Sequence, residues 1–135
     1  MAEKFTSYRG KSDNSSGTFV LVPVSGGSNT IGDERIANST TQVHALYVSQ
    51  VLPNHLTEET LQDNMNFFHI GITDGINTFY IGHDLPLVPQ SAYYVEKTIT
   101  LLPSQSMFIE FQAGAGKNGT SGYRVDAIAC AVDLT

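Results

Sequence analysis

Asn66-Phe-Phe-His-Ile-Gly-Ile-Thr-Asp-Gly-Ile-Asn-Thr-Phe-Tyr-Ile-Gly82 decides the reading of this chain: two apolar runs rich in aromatic and β-branched residues, hinged on Asp74 and Gly75. Asp and Gly both tolerate positive φ, and a primed two-residue turn matches the twist of the strands it joins. The stretch predicts an antiparallel β-hairpin, the seed of the fold.

Toward the C-terminus, Asp84-Leu-Pro-Leu-Val-Pro-Gln-Ser91 reads as a Pro-bounded connection and residues 92–102 as one long strand. Residues 107–113 alternate apolar with polar, the Gly-rich stretch 114–122 is a flexible hairpin loop, and residues 123–134 close the sheet. Toward the N-terminus, residues 57–65 are the only helix-like segment. Thr57 is placed to cap the turn of Glu58 and Glu59, with Leu61 and Met65 on one apolar edge. It is too short to build a core and reads as a helical insertion between strands. Residues 42–52 alternate well enough for a long strand, with Val43, Ala45, Tyr47, Ser49 and Val51 on one face and His44, Leu46, Val48 and Gln50 on the other. Residues 30–41 form a loop with a short strand about residues 35–37, and residues 18–24 a first strand ended by Pro23. Some seven short strands separated by turn chemistry predict an all-β, antiparallel β-sandwich, jelly-roll or immunoglobulin-like, over residues 18–135.

Residues 1–17 show neither a helical nor a strand period and read as a flexible N-terminal arm. The arm holds Lys4, Arg9 and Lys11, three of the seven cations, interleaved with Phe5 and Tyr8. Basic and aromatic residues on an arm suit clamping an acidic neighbouring subunit, and the rest of the chain is acidic. These five are candidate partner-binding residues.

With 135 residues the chain is long enough for one domain with a real core. Charged residues make up only 15%, against about a quarter in an average domain, so Ser, Thr, Asn and Gln must cover much of the surface. The net charge of -6 repels nucleic acid and anionic membranes, and excludes both as partners of the folded body. Cys130, the single cysteine, lies in an apolar run and reads as a buried small hydrophobe. No apolar leader opens the sequence and no stretch approaches the length of a membrane span. The triplets at Asn14, Asn38 and Asn118 fit a Ser/Thr/Asn-rich surface rather than glycosylation.

Motifs for chemistry are thin. His44, His55, His69 and His83 lack the spacings of local chelators, and satisfied strand histidines are their default. Gly114-Ala-Gly116-Lys117 is followed by Asn118 and then by strand, so it fails as a phosphate loop. Asp74, Asp84 and Glu110 fall in two turns and a strand, with nothing to relate them as a glycosidase pair. No cofactor, metal or catalytic residue is implied. The doublets Phe67-Phe68, Phe79-Tyr80 and Tyr93-Tyr94 should each send one ring to the core and one outward, and Tyr80 and Tyr94 are the outward candidates for a contact face.

From Val43 to the C-terminus the order of features resembles small β-sandwich virion structural proteins of tailed bacteriophages. The likeness rests on His44-Ala-Leu-Tyr-Val-Ser49, on Ile72-Thr-Asp-Gly75 with Phe79-Tyr-Ile-Gly82, on Asp84-Leu-Pro-Leu-Val-Pro89, and on Tyr94-Val-Glu-Lys-Thr-Ile-Thr-Leu101 before a final alternating strand pair. It departs after Ser104, where the usual Gly-Asp is missing, and at residues 53–65, which look inserted. The resemblance implies a non-enzymatic virion component assembled in the host cytoplasm: a capsid decoration (cement) protein, or a neck or tail accessory. Its partners would be further copies of itself, as a trimer, and other virion proteins such as the major capsid protein. A carbohydrate- or receptor-binding module using the outward aromatics is the alternative, and a small enzyme using His44, His69 or His83 a distant third.

Overall fold

A computed structural model describes residues 3–12, 17–51, 66–87, 92–112 and 124–135. Nine strands run in the order β1 (Glu3–Ser12), β2 (Gly17–Val22), β3 (Thr40–Val51), β4 (Asn66–Thr73), β5 (Thr78–Leu87), β6 (Ala92–Val95), β7 (Ile99–Leu101), β8 (Ser106–Gln112) and β9 (Arg124–Leu134). They form two antiparallel sheets. Sheet A has the order β1-β9-β3-β6, with β7 also paired to β3, and sheet B the order β2-β8-β4-β5. The chain is an all-β sandwich, with no helix among the described residues. The expected helical insertion at residues 57–65 and the loop at 114–122 lie outside the described residues.

The supposed arm is corrected by β1. Its residues pair with β9 along their whole length, from Glu3↔Leu134 to Ser12↔Val125. The strand shows no apolar period because its buried positions are not aliphatic. Tyr8 and Gly10 face the core, and a Cβ on Gly10 would lie 2.6 Å from the Phe19 ring, so glycine makes room for that ring.

The central hairpin forms as expected, with a longer turn. Thr73 pairs with Thr78, leaving a four-residue loop rather than a two-residue one. Asp74 organises it: its Oδ1 accepts the N–H groups of Ile76 at 2.8 Å and Asn77 at 2.7 Å, and Gly75 takes φ +93°. Those hydrogen bonds, Asn77 first and then Ile76, hold the Asp74 carboxyl below its ordinary value.

Strand β3 carries a bulge between Val43 and Ala45, where it pairs with β9. His44 is the extra residue, and the slip reverses the faces: Val43, Leu46 and Val48 are buried while Ala45, Tyr47 and Ser49 face outward. Beside the bulge the expected long strand 92–102 divides into β6 and β7, which pair with β3 on either side of it.

The core between the sheets joins Phe68, Ile70, Ile109 and Phe111 from sheet B to Tyr8, Val43, Leu46 and Ala129 from sheet A. Burial of such side chains is the main stabilising contribution, at about 1.5–3 kcal/mol each. At one end, loop 23–39 is fixed by Arg35, which is 2% exposed. Its guanidinium donates to five carbonyls, those of Pro23, Ser39, Leu101, Leu102 and Gln105, at 2.6–3.0 Å. The expected short strand about Arg35 is therefore replaced by this anchor and a single bridge, Ser28↔Glu34. Buried Asp133 stands opposite, accepting from Tyr8, Thr41 and Ile36. Burial lowers the Arg35 guanidinium from its ordinary value, while Asp133 and Tyr8 oppose that shift.

Candidate functional site

The partner-binding candidates of β1 separate by strand alternation. Tyr8 is fully buried and donates its hydroxyl to Asp133 Oδ2 at 2.6 Å, so it is a core residue and not a contact. Phe5, Arg9 and Lys11 project from the opposite, outer face of sheet A. Phe5 is 78% exposed. Lys4 is also exposed, but its Nζ reaches back to the carbonyl of Glu34 at 2.7 Å. Arg9, itself exposed, lies 3.8 Å from Oδ1 of the partly buried Asp33.

The pairing register sets four outer side chains in one row across sheet A: Arg9, Ile128, Tyr47 and Tyr94. The next row toward Phe5 holds only Ser7, Cys130 and Ala45. A row of small side chains beside a row of large ones leaves a groove of about 400 Å³ lined by Phe5, Ser7, His44 and Cys130. Cys130 is thus a partly exposed groove residue, not the buried one expected. Tyr47 and Tyr94 stack at 4.6 Å with 24° between their planes, so each spends one ring face on the other.

Tyr80 lies on the other sheet. Its outer side packs edge-on against Phe108, His69 and His83, with ring centroids at 5.7–6.0 Å. Tyr80 and Tyr94 therefore do not form one face. The doublet rule holds for Phe67-Phe68 and fails for Phe79-Tyr80, where both rings are exposed because β5 is an edge strand.

His69, His83 and Asp84 are brought together by the β4–β5 pairing, with one ligand-type atom of each within 4.8 Å of the others. The hydrogen bonding decides their chemistry. The Asp84 N–H donates to Nδ1 of His69 at 2.9 Å, which places the proton of the neutral ring on Nε2. Nε2 then faces Asp84 Oδ1 at 3.8 Å, while His83 Nδ1 stands 3.1 Å from Oδ2. A metal on Nε2 would need the lone pair there and a proton on Nδ1, directed at the Asp84 N–H. Two donors would collide. The group is a self-satisfied polar corner, held by Asp84 at φ 51°.

No family model matches the chain, and no curated protein does. Two solved structures are similar to it, both pentameric capsid proteins isolated from metagenomic phage sequences, one of them solved by iodide phasing. Each is 14% identical over 92% of this chain, with TM-scores of 0.41 and 0.40. The chain spans 59% and 64% of the length of those two chains.

Sequence reasoning missed the opening on the other side of the sandwich. A cleft of about 550 Å³ enters between β5 and β6, lined by Leu46, Ile70, Leu85, Tyr93, Val95 and Ile99. Above it β5 exposes Phe79 and Ile81. The uncharged run 78–82 was the available signal, since an edge strand free of charge and proline invites pairing.

Proposed function

We propose that this chain is a non-enzymatic structural protein of a tailed-bacteriophage virion: a capsid decoration (cement) protein that stabilises the head lattice, or a neck or tail accessory, acting as a homo-oligomer. The observation that carries the reading is the placement of its exposed apolar side chains. Phe5, Phe79, Ile81 and Tyr94 are exposed on strands held by ladder pairing, while His69, His83 and Asp84 turn to one another. A stiff, charge-poor module with several apolar contact points suits a repeating lattice, where many weak contacts add through multivalency. The sequence resemblance supports the same reading. Quantitative mass spectrometry of purified virions tests it: the chain should be present at a fixed copy number per particle, and a trace amount that varies between preparations would contradict it.

The second reading, a carbohydrate-binding module, is favoured by the stacked, half-exposed rings of Tyr47 and Tyr94. A glycan array separates the two, because only this reading expects a specific sugar that is lost on Tyr94→Ala.

A further inference from the structure

Aspartate followed by glycine is prone to a spontaneous rearrangement, because glycine has no side chain to hinder attack by its own nitrogen. The glycine nitrogen bonds to Cγ of the aspartate, its proton and the carboxyl hydroxyl leave as water, and a five-membered succinimide closes. Water then reopens the ring at the aspartate main-chain carbonyl, and the chain runs on through the side-chain carboxyl as isoaspartate. No oxidant, metal or enzyme is needed. Among the described residues Asp74-Gly75 is the only Asp-Gly or Asn-Gly pair, and it sits at the exposed tip of the central hairpin.

The groups that ring closure would consume are already engaged. The Gly75 N–H donates to Oγ1 of Thr73 at 3.1 Å, and Oδ1 of Asp74 accepts from Ile76 at 2.8 Å and from Asn77 at 2.7 Å. The Asp74 N–H in turn donates to the Asn77 carbonyl at 3.2 Å. A succinimide nitrogen carries no proton, so closure loses the bond to Thr73. It also removes the carboxylate charge that the Asn77 and Ile76 N–H groups stabilise. Those two groups, Asn77 first, favour the ionised carboxyl, which has no hydroxyl to release as water. Isoaspartate would further add a methylene to the main chain of a loop whose ends, Thr73 and Thr78, are paired.

We propose that Asp74-Gly75 is a latent modification site guarded by its own hairpin turn, with Thr73 as the positioning residue that withholds the Gly75 nitrogen. While the turn is closed the pair stays aspartyl; when the turn opens it isomerises. Each hydrogen bond lost on the way to the ring is worth about two- to tenfold in rate. Isoaspartate at residue 74 therefore records opening of the β4–β5 turn, and once formed it works against closing it again. The guard is a property of the turn itself, whatever the sandwich attaches to.

The test is ageing of the full-length chain in mildly acidic buffer at physiological temperature, with isoaspartate at residue 74 read by peptide mapping, which separates it from Asn118-Gly119. The folded chain should isomerise at least about tenfold more slowly than the same chain unfolded in guanidinium chloride. Thr73→Val keeps a β-branched side chain but removes the acceptor, and should speed the folded reaction about two- to tenfold. Thr73→Ser keeps a hydroxyl and should stay near the original rate. Melting confirms that each variant is folded at the ageing temperature, and the comparison of folded with unfolded chain needs no variant. Equal rates in the folded and unfolded chain, a Thr73→Val rate no faster than the original, or a Thr73→Ser rate as fast as that of Thr73→Val would each overturn the proposal.

Discussion

Tyr8 donates its phenolic proton to Oδ2 of Asp133 at 2.6 Å, joining residues 125 apart in sequence inside the sandwich. Thr41 donates to Oδ1 at 2.7 Å and the Ile36 N–H to Oδ2 at 3.1 Å, so one carboxylate ties together β1, β3 and the loop that carries Arg35. Tyr8→Phe removes one of three donors and should cost about 1–3 kcal/mol. Asp133→Ala also strips the buried Arg35 of its counter-charge and should cost about 3–5 kcal/mol. Urea unfolding followed by tyrosine fluorescence measures both, and equal costs would show that Arg35 does not depend on Asp133.

Alkali should find the same residue. Burial first, and then the hydrogen bond to Asp133, raise the Tyr8 phenol well above its ordinary 10.0. The unfolded chain then releases this proton before the folded one. Tyr8 leaves stability unchanged below about pH 10 and lowers it by up to about 1.4 kcal/mol per unit above. The difference between the original chain and Tyr8→Phe should therefore shrink as pH rises past that point. A difference that is constant from neutral to strongly alkaline pH would contradict the buried phenol.

Gly71 in the middle of β4 is a packing requirement. A Cβ there would lie 2.2 Å from the Phe108 ring, which packs across the strand toward Tyr80. Gly71→Ala should destabilise by about 1–3 kcal/mol, as overpacking does. Adding Phe108→Leu should recover part of that loss, and a double-mutant cycle in urea reads the coupling. Strictly additive costs would mean that the ring moves aside freely.

The polar corner makes a spectroscopic prediction. With the Asp84 N–H bound to its Nδ1, neutral His69 should appear in long-range nitrogen–proton spectra as the Nε2–H tautomer. Addition of zinc at neutral pH should leave those resonances in place. A shift of the His69 and His83 signals together on stoichiometric zinc would show that the corner opens to bind metal.

How far the sequence carried depends on where each residue finds its partner. The hairpin of β4 and β5 was legible because its pairing is local and Asp74 marks the turn, although only the structure shows that Ile76 and Asn77 belong to the loop. Strand β1 was illegible for the opposite reason. It pairs with β9 at the other end of the chain, and its inward residues, Tyr8 and Gly10, are selected by a buried acid and by the Phe19 ring rather than by apolar periodicity. Among the partner candidates on β1, alternation puts Phe5, Arg9 and Lys11 outward and Tyr8 inward, a distinction that an unstructured arm does not make. Deleting β1 would take a strand out of sheet A, so such a deletion would not isolate a contact role. His44 shows how one inserted residue defeats a face assignment, and Arg35 how a buried cation can pass for a loop residue when its partners are carbonyls.

Co-sedimentation is the direct test of the proposal that this sandwich is a building part of a virus particle. The purified chain is mixed with capsids that lack it, and its bound amount is measured as its concentration is raised. Saturable binding at a fixed ratio to the lattice is expected, with particles that withstand heat better once loaded. A chain that stays wholly in the supernatant at every concentration, with capsids unchanged, would contradict the lattice role.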